Sequence, residues 1–145
     1  MTTCRDVMTR EPVYCQPDDS VSAAADLMRT HNIGALPVVD PGGRLVGIVT
    51  DRDLVVKVVA GDLPVEGASV RQAMTGDPAT CGEQDDVKQV LTLMASRQVR
   101  RVPVVDPGGR LVGIIAQADI ATRLQLDQKT GELVEAISEP GSGRA

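Results

Sequence analysis

Apolar residues recur at helical spacing in two stretches of this chain. In the later stretch they fall at i, i+3, i+4 and i+7, on one face of a helix: Val87, Val90, Leu91 and Met94. The earlier stretch shows nearly the same pattern: Val21, Ala24, Leu27 and Met28. Each stretch is therefore predicted to form a helix, capped by Asp19 or Ser20 in the first case and by Asp85 in the second.

Two short apolar runs follow the first helix and predict a β-hairpin. The runs lie near Leu36–Val39 and Leu45–Val49, and the "DPGG" between them supplies a proline and two glycines for a tight turn. Further helices are predicted to begin near Thr50 and near Ala116.

Short helices are also predicted near the start of each half. The spacings Thr3-x-x-Asp6 and Ser69-x-x-Gln72 are typical of a capping box or a variant of one, and the helices should end near Met8 and Met74. An extended segment that contains proline follows each short helix.

The hairpin sequence "PVVDPGGRLVGI" occurs twice, at Pro37–Ile48 and at Pro103–Ile114. The same offset of 66 residues aligns 22 identities in the 49 positions from Arg5 to Asp53 without a gap. A repeat in a single register indicates two copies of one structural unit.

The repeat also predicts the domain organisation. We assign the first unit to residues 1–62 and the second to residues 63–126, with a C-terminal tail at residues 127–145. A helix is expected at Glu132–Ile137, and the final "EPGSGRA" is expected to be disordered.

Composition and charge narrow the classes of partner. The chain has no Phe or Trp and a single Tyr, which argues against a stacking surface for single-stranded nucleic acid. A formal charge of −5 argues against general binding to a phosphate backbone. No run approaches the length of a membrane span, no secretory signal opens the chain, and three cysteines make no disulfide framework. We therefore expect no nucleic-acid or membrane partner and a cytoplasmic location.

Three pairs of segments resemble a known family. They are "VMTREPV" and "AMTGDPA" near the unit starts, "IGALPVVD" and "VRRVPVVD" before the hairpin turns, and "LVGIVTDRDL" and "LVGIIAQADI" after them. Over about Thr3–Leu126 the chain resembles a tandem pair of CBS domains, a Bateman module, and is similar to small stand-alone pairs of the hypoxic-response type. The resemblance implies an α/β fold of the α+β kind. Its two pseudo-symmetric units would each run helix-strand-helix-strand-strand-helix and would pack sheet to sheet. It also implies a sensor whose clefts bind adenosine compounds, not a catalyst.

The segment "GIVTDRD" carries the first candidate site. The Asp53 carboxylate can accept both hydroxyls of a ribose, and the Thr50 hydroxyl with the helix amides can donate to a phosphate. The same spacing is also a variant capping box, so the residues alone leave both interpretations open. The resemblance implies nucleotide binding at Thr50 and Asp53, and we add Pro12 and Val13 of the first extended segment as candidate contacts.

The second copy departs from this pattern. Asp119 is retained, but Ala116 stands at the position of Thr50 and Gln117 at that of Asp51. A cleft that uses Asp119 could still hold a ribose, but it lacks the threonine hydroxyl.

Just before the hairpins, it is the second copy that carries the polar side chains and the first copy that lacks them. Arg100 and Arg101 precede the second hairpin where Gly34 and Ala35 precede the first. In similar proteins, basic residues here reach nucleotide phosphates, sometimes across the cleft. We therefore predict one competent cleft, which joins these arginines to the Thr–Asp pair of the first unit, and one degenerate cleft. The alternative is that both arginines belong to a solvated surface.

Other reactive residues give weaker signals. Cys15 and Cys81 occupy equivalent positions of the two repeats. One interpretation is that both are small buried apolar residues. The other is that they form a redox pair, or part of a metal site with Cys4 and His31. No Cys-x-x-Cys or His-x-x-His spacing supports zinc, so no metal site is predicted, and His31 is expected to end a helix. No activated nucleophile and no P-loop are present, so no catalytic residue is assigned and the chain is not expected to be an enzyme.

Two functional hypotheses remain. The first is a regulatory module that binds AMP, ADP or ATP, ahead of S-adenosylmethionine or a dinucleotide, as a ligand and not as a required cofactor. It would be a homodimer acting on an unknown effector protein in trans. The second is a structural or stress-response interaction protein with vestigial clefts, dependent on thiols or a metal.

Overall fold

The computed structural model describes the backbone of residues 1–138 and the side chains of residues 1–129. The first half contains α1 (Cys4–Val7), β1 (Thr9–Arg10), α2 (Val21–His31), β2 (Ala35–Val39), β3 (Leu45–Thr50), α3 (Asp51–Leu54) and a π-helical turn (Val55–Val59). The second contains α4 (Val70–Ala73), β4 (Thr75–Gly76), β5 (Cys81–Gly82), α5 (Val87–Arg97), β6 (Arg101–Val105), β7 (Leu111–Ala116) and α6 (Gln117–Ser138). The predicted α+β organisation in two related units is confirmed.

The longer helices α2 and α5 begin and end at equivalent positions. The Ser20 hydroxyl caps α2 by accepting from the Ala23 amide. The prediction that Asp85 caps α5 is wrong, because the cap is Asp86, which accepts from the Lys88 amide, while Asp85 accepts from the amide of Gly82. Both helices end in a left-handed residue, Asn32 and its mate Gln98.

The short helices α1 and α4 carry the predicted capping boxes. Each box links the first residue of its spacing to the fourth, Thr3 to Asp6 and Ser69 to Gln72. The helices end at Met8 and Met74 as predicted, because both of these residues turn to extended backbone.

Both repeated hairpins form antiparallel pairs, β2 with β3 and β6 with β7. Gly43 and Gly109 take φ values of 86° and 83° in the turns, a conformation that only glycine adopts freely. The two turns also meet each other, since the Leu45 amide donates to the Gly109 carbonyl and the Leu111 amide to the Gly43 carbonyl.

The sheets exchange strands between the halves. The three-stranded sheet has the order β2-β3-β4, and the four-stranded sheet has the order β1-β7-β6-β5. β4 of the second half thus completes the first sheet, and β1 of the first half completes the second. The assignment of units to residues 1–62 and 63–126 remains a prediction, since each sheet draws on both ranges.

The cores follow the same exchange. One core contains Leu36, Val38 and Val49 of the first hairpin together with Val70 and Ala73 of α4. The other contains residues of α5, β6 and β7 together with Cys4 of α1. Each short helix is therefore buried against the opposite half.

The ends of the two halves differ. After α3 the first half continues as one π-helical turn, whereas α6 of the second half continues to Ser138. The helix predicted at Glu132–Ile137 is part of α6 and not a separate element. The predicted disorder of "EPGSGRA" concerns residues 139–145, which lie outside the described residues.

Candidate functional site

Thr50 and Asp53 lie where β3 ends and α3 begins. The Asp53 Oδ2 atom accepts from the Thr50 amide at 2.9 Å and from the Thr50 hydroxyl at 3.1 Å, while the Asp53 amide donates back to that hydroxyl at 3.1 Å. Both side chains are half-buried. The predicted capping box is present, and it holds the carboxylate in one orientation before any ligand arrives.

Lys57, one turn further along, was not singled out from the sequence. Its Nζ atom lies 3.4 Å from Asp53 Oδ1 and donates to the Ala73 carbonyl at 2.8 Å. The (i, i+4) spacing of Asp53 and Lys57 is the sequence signal that could have found it. Lys57 therefore ties the candidate site to the exchanged helix α4.

Asp51 brings a second carboxylate to this edge of the first unit. A Cβ atom at Gly34 would lie 2.8 Å from Asp51 Oδ2, so the carboxylate occupies the space that a side chain at position 34 would need. The Asp51 amide also donates to the Gly34 carbonyl at 2.9 Å. Glycine at position 34 leaves room for the Asp51 carboxylate, which joins Asp53 at this edge of the first unit.

The corresponding edge of the second unit is basic. Arg100 stands at the place of Gly34, and its carbonyl accepts from the Gln117 amide at 2.8 Å. Arg101 begins β6 opposite Ala116. Asp119 is exposed, and Ala116 offers it no hydroxyl, so no side-chain box forms here.

Arg100 and Arg101 are exposed, and neither side chain makes a hydrogen bond or ion pair with the described residues. In particular, no such contact joins them to Thr50 or Asp53, so the predicted pairing across the cleft remains a prediction.

Pro12 and Val13 lie in the extended segment after β1. Pro12 is buried and lines a groove of about 320 Å³ with Tyr14, Asp40 and Leu111, which come from both halves of the chain. Val13 is half-buried and packs against the first core. Neither Thr50 nor Asp53 lines this groove, so the four candidates of the first unit are not gathered in one cavity.

The three cysteines are all buried free thiols. Cys15 and Cys81 lie in different cores, so the structure does not bring them together as a redox pair. Burial raises the pKa of Cys15 to about 12. Cys81 instead lies against Cys4, with 3.6 Å between the two Sγ atoms. Sequence reasoning missed this pair, because the repeat mate of Cys4 is Val70.

His31 occupies the last residue of α2, where it was expected to end a helix. Among the residues whose placement is described, no group of three or more His, Cys, Asp or Glu side chains could hold a metal ion. The helices of the described region also include none that is long and apolar enough to cross a membrane.

Comparison with known proteins decides the family. The CBS domain family matches the chain twice, over residues 4–60 and 70–126. The chain belongs to the CBS domain family. Its two CBS domains form a pair, as the repeat predicted.

A well-matched relative is Hypoxic response protein 1 of Mycobacterium tuberculosis. It is 37% identical over 140 residues, which cover 97% of this chain and 96% of that protein. A crystal structure of Hypoxic Response Protein I with two coordinated zinc ions has a TM-score of 0.77 at 38% identity, covering 83% of this chain and 98% of that one.

Two further structures contain adenosine compounds. The CBS domain pair of protein MJ0100, in complex with 5-methylthioadenosine and S-adenosyl-L-methionine, has a TM-score of 0.77 at 31% identity and covers 88% of this chain and 98% of that one. CBSX2 in complex with AMP has a TM-score of 0.77 at 27% identity and covers 88% of this chain and 99% of that one. CBS pairs are ligand-binding regulatory modules, which confirms the predicted class of function in its broad form.

Proposed function

We propose that this CBS pair is a regulatory module that binds a nucleotide of the AMP, ADP or ATP class in one competent cleft. The observation that carries the proposal is the difference between the two repeat edges. The first holds a half-buried carboxylate in a complete Thr50–Asp53 box, whereas the second offers an exposed Asp119 beside Ala116. The ligands in the MJ0100 and CBSX2 structures support an adenosine compound.

Asp53 is the proposed ribose contact. Its Oδ2 atom is held by Thr50, while its Oδ1 atom faces Lys57 at 3.4 Å, which is longer than a strong charge-assisted hydrogen bond. A ribose hydroxyl could donate to Oδ1 without breaking the capping box. Lys57 would keep its bond to the Ala73 carbonyl.

A phosphate near Thr50 needs positive charge from elsewhere in the molecule. Asp51 and Asp53 both place carboxylates at this edge, and Lys57 is already engaged. Arg100 and Arg101 are exposed cations of the other unit whose guanidinium groups have no partner among the described residues. We propose that they bind the phosphate, because guanidinium groups match phosphate geometry.

Binding of AMP and of adenosine to four variants tests these roles separately. We expect Asp53→Asn to weaken both ligands by about 10-fold or more, the value of a charged hydrogen bond, and Asp119→Asn to leave both unchanged. Arg100→Ser and Arg101→Ser should weaken AMP but not adenosine. Equal effects of Asp53→Asn and Asp119→Asn would overturn the one-cleft proposal, and no binding of either ligand would favour vestigial clefts.

The output of the module is also a proposal. We propose that the signal passes to an effector protein in trans and that a cytoplasmic homodimer is the acting form. The π-helical turn exposes Val55, Val56 and Val59, apolar surface that a second copy could cover. Light scattering of the purified chain would show twice the monomer mass if this is so, and a monomer mass would contradict it.

A further inference from the structure

Two buried sulfur atoms are in contact where the start of the chain meets the second unit. The Sγ atoms of Cys4 in α1 and Cys81 in β5 are 3.6 Å apart. Cys4 has no exposed surface and Cys81 is 6% exposed. Since the two residues are 77 positions apart in the chain, this contact exists only because α1 is exchanged into the second unit.

The segment around Cys4 is held firmly in place. We call residues 2–10, which contain α1 and β1, the N-terminal arm. The Cys4 amide donates to the Asp85 carbonyl and the Arg5 amide to the Glu83 carbonyl, both at 2.9 Å, and the Val87 amide donates back to the Thr2 carbonyl at 3.0 Å. These bonds hold the backbone of the N-terminal arm against residues 83–87, which follow Cys81 in the chain.

The repeat shows that packing alone does not require this thiol pair. At the offset of 66 residues, Cys81 corresponds to Cys15 and Cys4 corresponds to Val70. Cys15 and Val70 are both buried in the first core. In the first core a valine, Val70, therefore fills the position that Cys4 fills in the second core. The contact between two sulfur atoms occurs only where the N-terminal arm packs, among the residues that the structure describes.

One member of the pair lies beside an open groove. Cys81 lines a groove of about 520 Å³ that is also lined by Gly82, Glu83 and Asp106. Cys81 is the partly exposed member of the pair, and Cys4 is the fully buried one. The hydrogen bond between the sulfurs also lowers the pKa of Cys4 from its usual value, which favours thiolate, while it raises that of Cys81.

We propose that Cys4 and Cys81 are a peroxide-sensitive thiol pair, which forms a disulfide that fastens the N-terminal arm to the second unit. The sulfurs need to close from 3.6 Å to about 2.05 Å, a movement of about 1.5 Å.

The reaction balances with hydrogen peroxide as the oxidant. One thiolate of the pair attacks a peroxide oxygen, the O–O bond breaks, and the sulfur becomes a sulfenic acid while hydroxide leaves and takes a proton to form water. The second thiol then attacks the sulfenic sulfur, an S–S bond forms, and a second water leaves. In total two thiols lose two protons and two electrons, and one peroxide is reduced to two waters.

The cross-link is expected to act on the arm and not on the first core. It would close a long loop and restrict the unfolded chain, so the oxidised protein should be the more stable form. Because β1 follows directly after α1, the cross-link would also hold β1 against β7. This proposal does not depend on nucleotide binding.

Oxidation of the full-length chain with hydrogen peroxide tests the proposal. We expect loss of two of the three titratable thiols, a mass lower by two hydrogen atoms, and a peptide that joins Cys4 to Cys81. The melting temperature should rise by about 5 °C or more on oxidation and fall again with dithiothreitol.

Two variants make the outcome decisive. Cys4→Val copies the valine of the other repeat, so the protein should fold, keep its remaining thiols reduced and show no rise in melting temperature. Cys15→Ala removes the third buried thiol and should form the disulfide like the parent chain. Retention of all three thiols, a disulfide that involves Cys15, or oxidation of single sulfurs to sulfinic acid would each overturn the proposal.

Discussion

Asp53 and Asp119 hold the same place in the repeat but not the same surroundings. Asp53 is fixed by the Thr50 amide and hydroxyl, whereas Asp119 is exposed beside an alanine. Thr50 supplies a hydroxyl that Ala116 lacks, and the oriented carboxylate is the one beside that hydroxyl. At the scale of residues, the candidate site is set apart by this hydroxyl together with the bond from the Thr50 amide.

The stability of the two helix starts should reflect this difference. We expect Thr50→Ala to lower the free energy of unfolding by about 1 kcal/mol, because the amide of Asp53 loses its acceptor. Ala116→Thr, which rebuilds the box beside Asp119, should not lower it. Urea unfolding of both variants measures the change, and an unchanged midpoint for Thr50→Ala would show that the box contributes nothing.

The buried Cys15 thiol should make the free energy of unfolding depend on pH in the alkaline range. Burial raises its pKa from 9.0 to about 12, so between these values the unfolded chain releases a proton that the folded chain keeps. The unfolded state is then favoured, and the stability that is present below pH 9.0 is lost as the pH rises. We expect unfolding under reducing conditions to show a steeper alkaline loss in the parent chain than in Cys15→Ala. Equal slopes would contradict the buried, neutral thiol.

At the scale of elements, exchange of short strands joins the halves. β1 pairs with β7 and β4 with β3, so each sheet is completed by a strand from the other half. The approach is close: a Cβ atom at Gly47 would lie 2.7 Å from the Met74 sulfur and 2.9 Å from the Thr75 carbonyl oxygen. Gly113 is similarly close to Met8 and Thr9.

Glycine substitutions can test the tightness of this exchange. Gly47→Ala should cost about 1–3 kcal/mol of unfolding free energy, because β4 must move away from β3. Gly76→Ala is the matched control in the partner strand, with open space around the new Cβ atom, and should change stability by less than about 0.5 kcal/mol. If denaturant unfolding showed the same loss of stability for Gly47→Ala and Gly76→Ala, the loss would come from replacing glycine in a strand and not from the close approach of β3 and β4.

The sequence predicted the elements that depend on neighbouring residues. Capping boxes, hairpin turns and helix faces involve positions within a few residues of one another, and these were found where expected, apart from the cap at Asp86 instead of Asp85. The exchange could not be predicted in the same way, because the pairing of Thr9 with Ile114 leaves no local pattern. For the same reason the contact of Cys4 with Cys81 was missed.

The candidate site was predictable only in part. The Thr–Asp box followed from its spacing, and the unequal edges followed from comparing the two copies. The carboxylate of Asp51 against Gly34 could not be foreseen, because it depends on how β2 and β3 bring positions 34 and 51 together.

At the scale of the whole molecule, the fold is nearly two-fold symmetric but its edges are not. The hairpins are identical in sequence and meet at their turns, so they form the common scaffold. The first edge carries Asp51 and Asp53, and the second carries Arg100 and Arg101. In the proposed cleft the arginines would bind the phosphate and Asp53 would bind the ribose.

The stoichiometry of AMP binding tests this central claim most directly. Isothermal titration calorimetry of the reduced 145-residue chain should give one AMP per chain, and the affinity for AMP should fall by about 10-fold or more in Asp53→Asn but stay unchanged in Asp119→Asn. Two equivalent sites per chain, or binding that survives Asp53→Asn unchanged, would contradict the account.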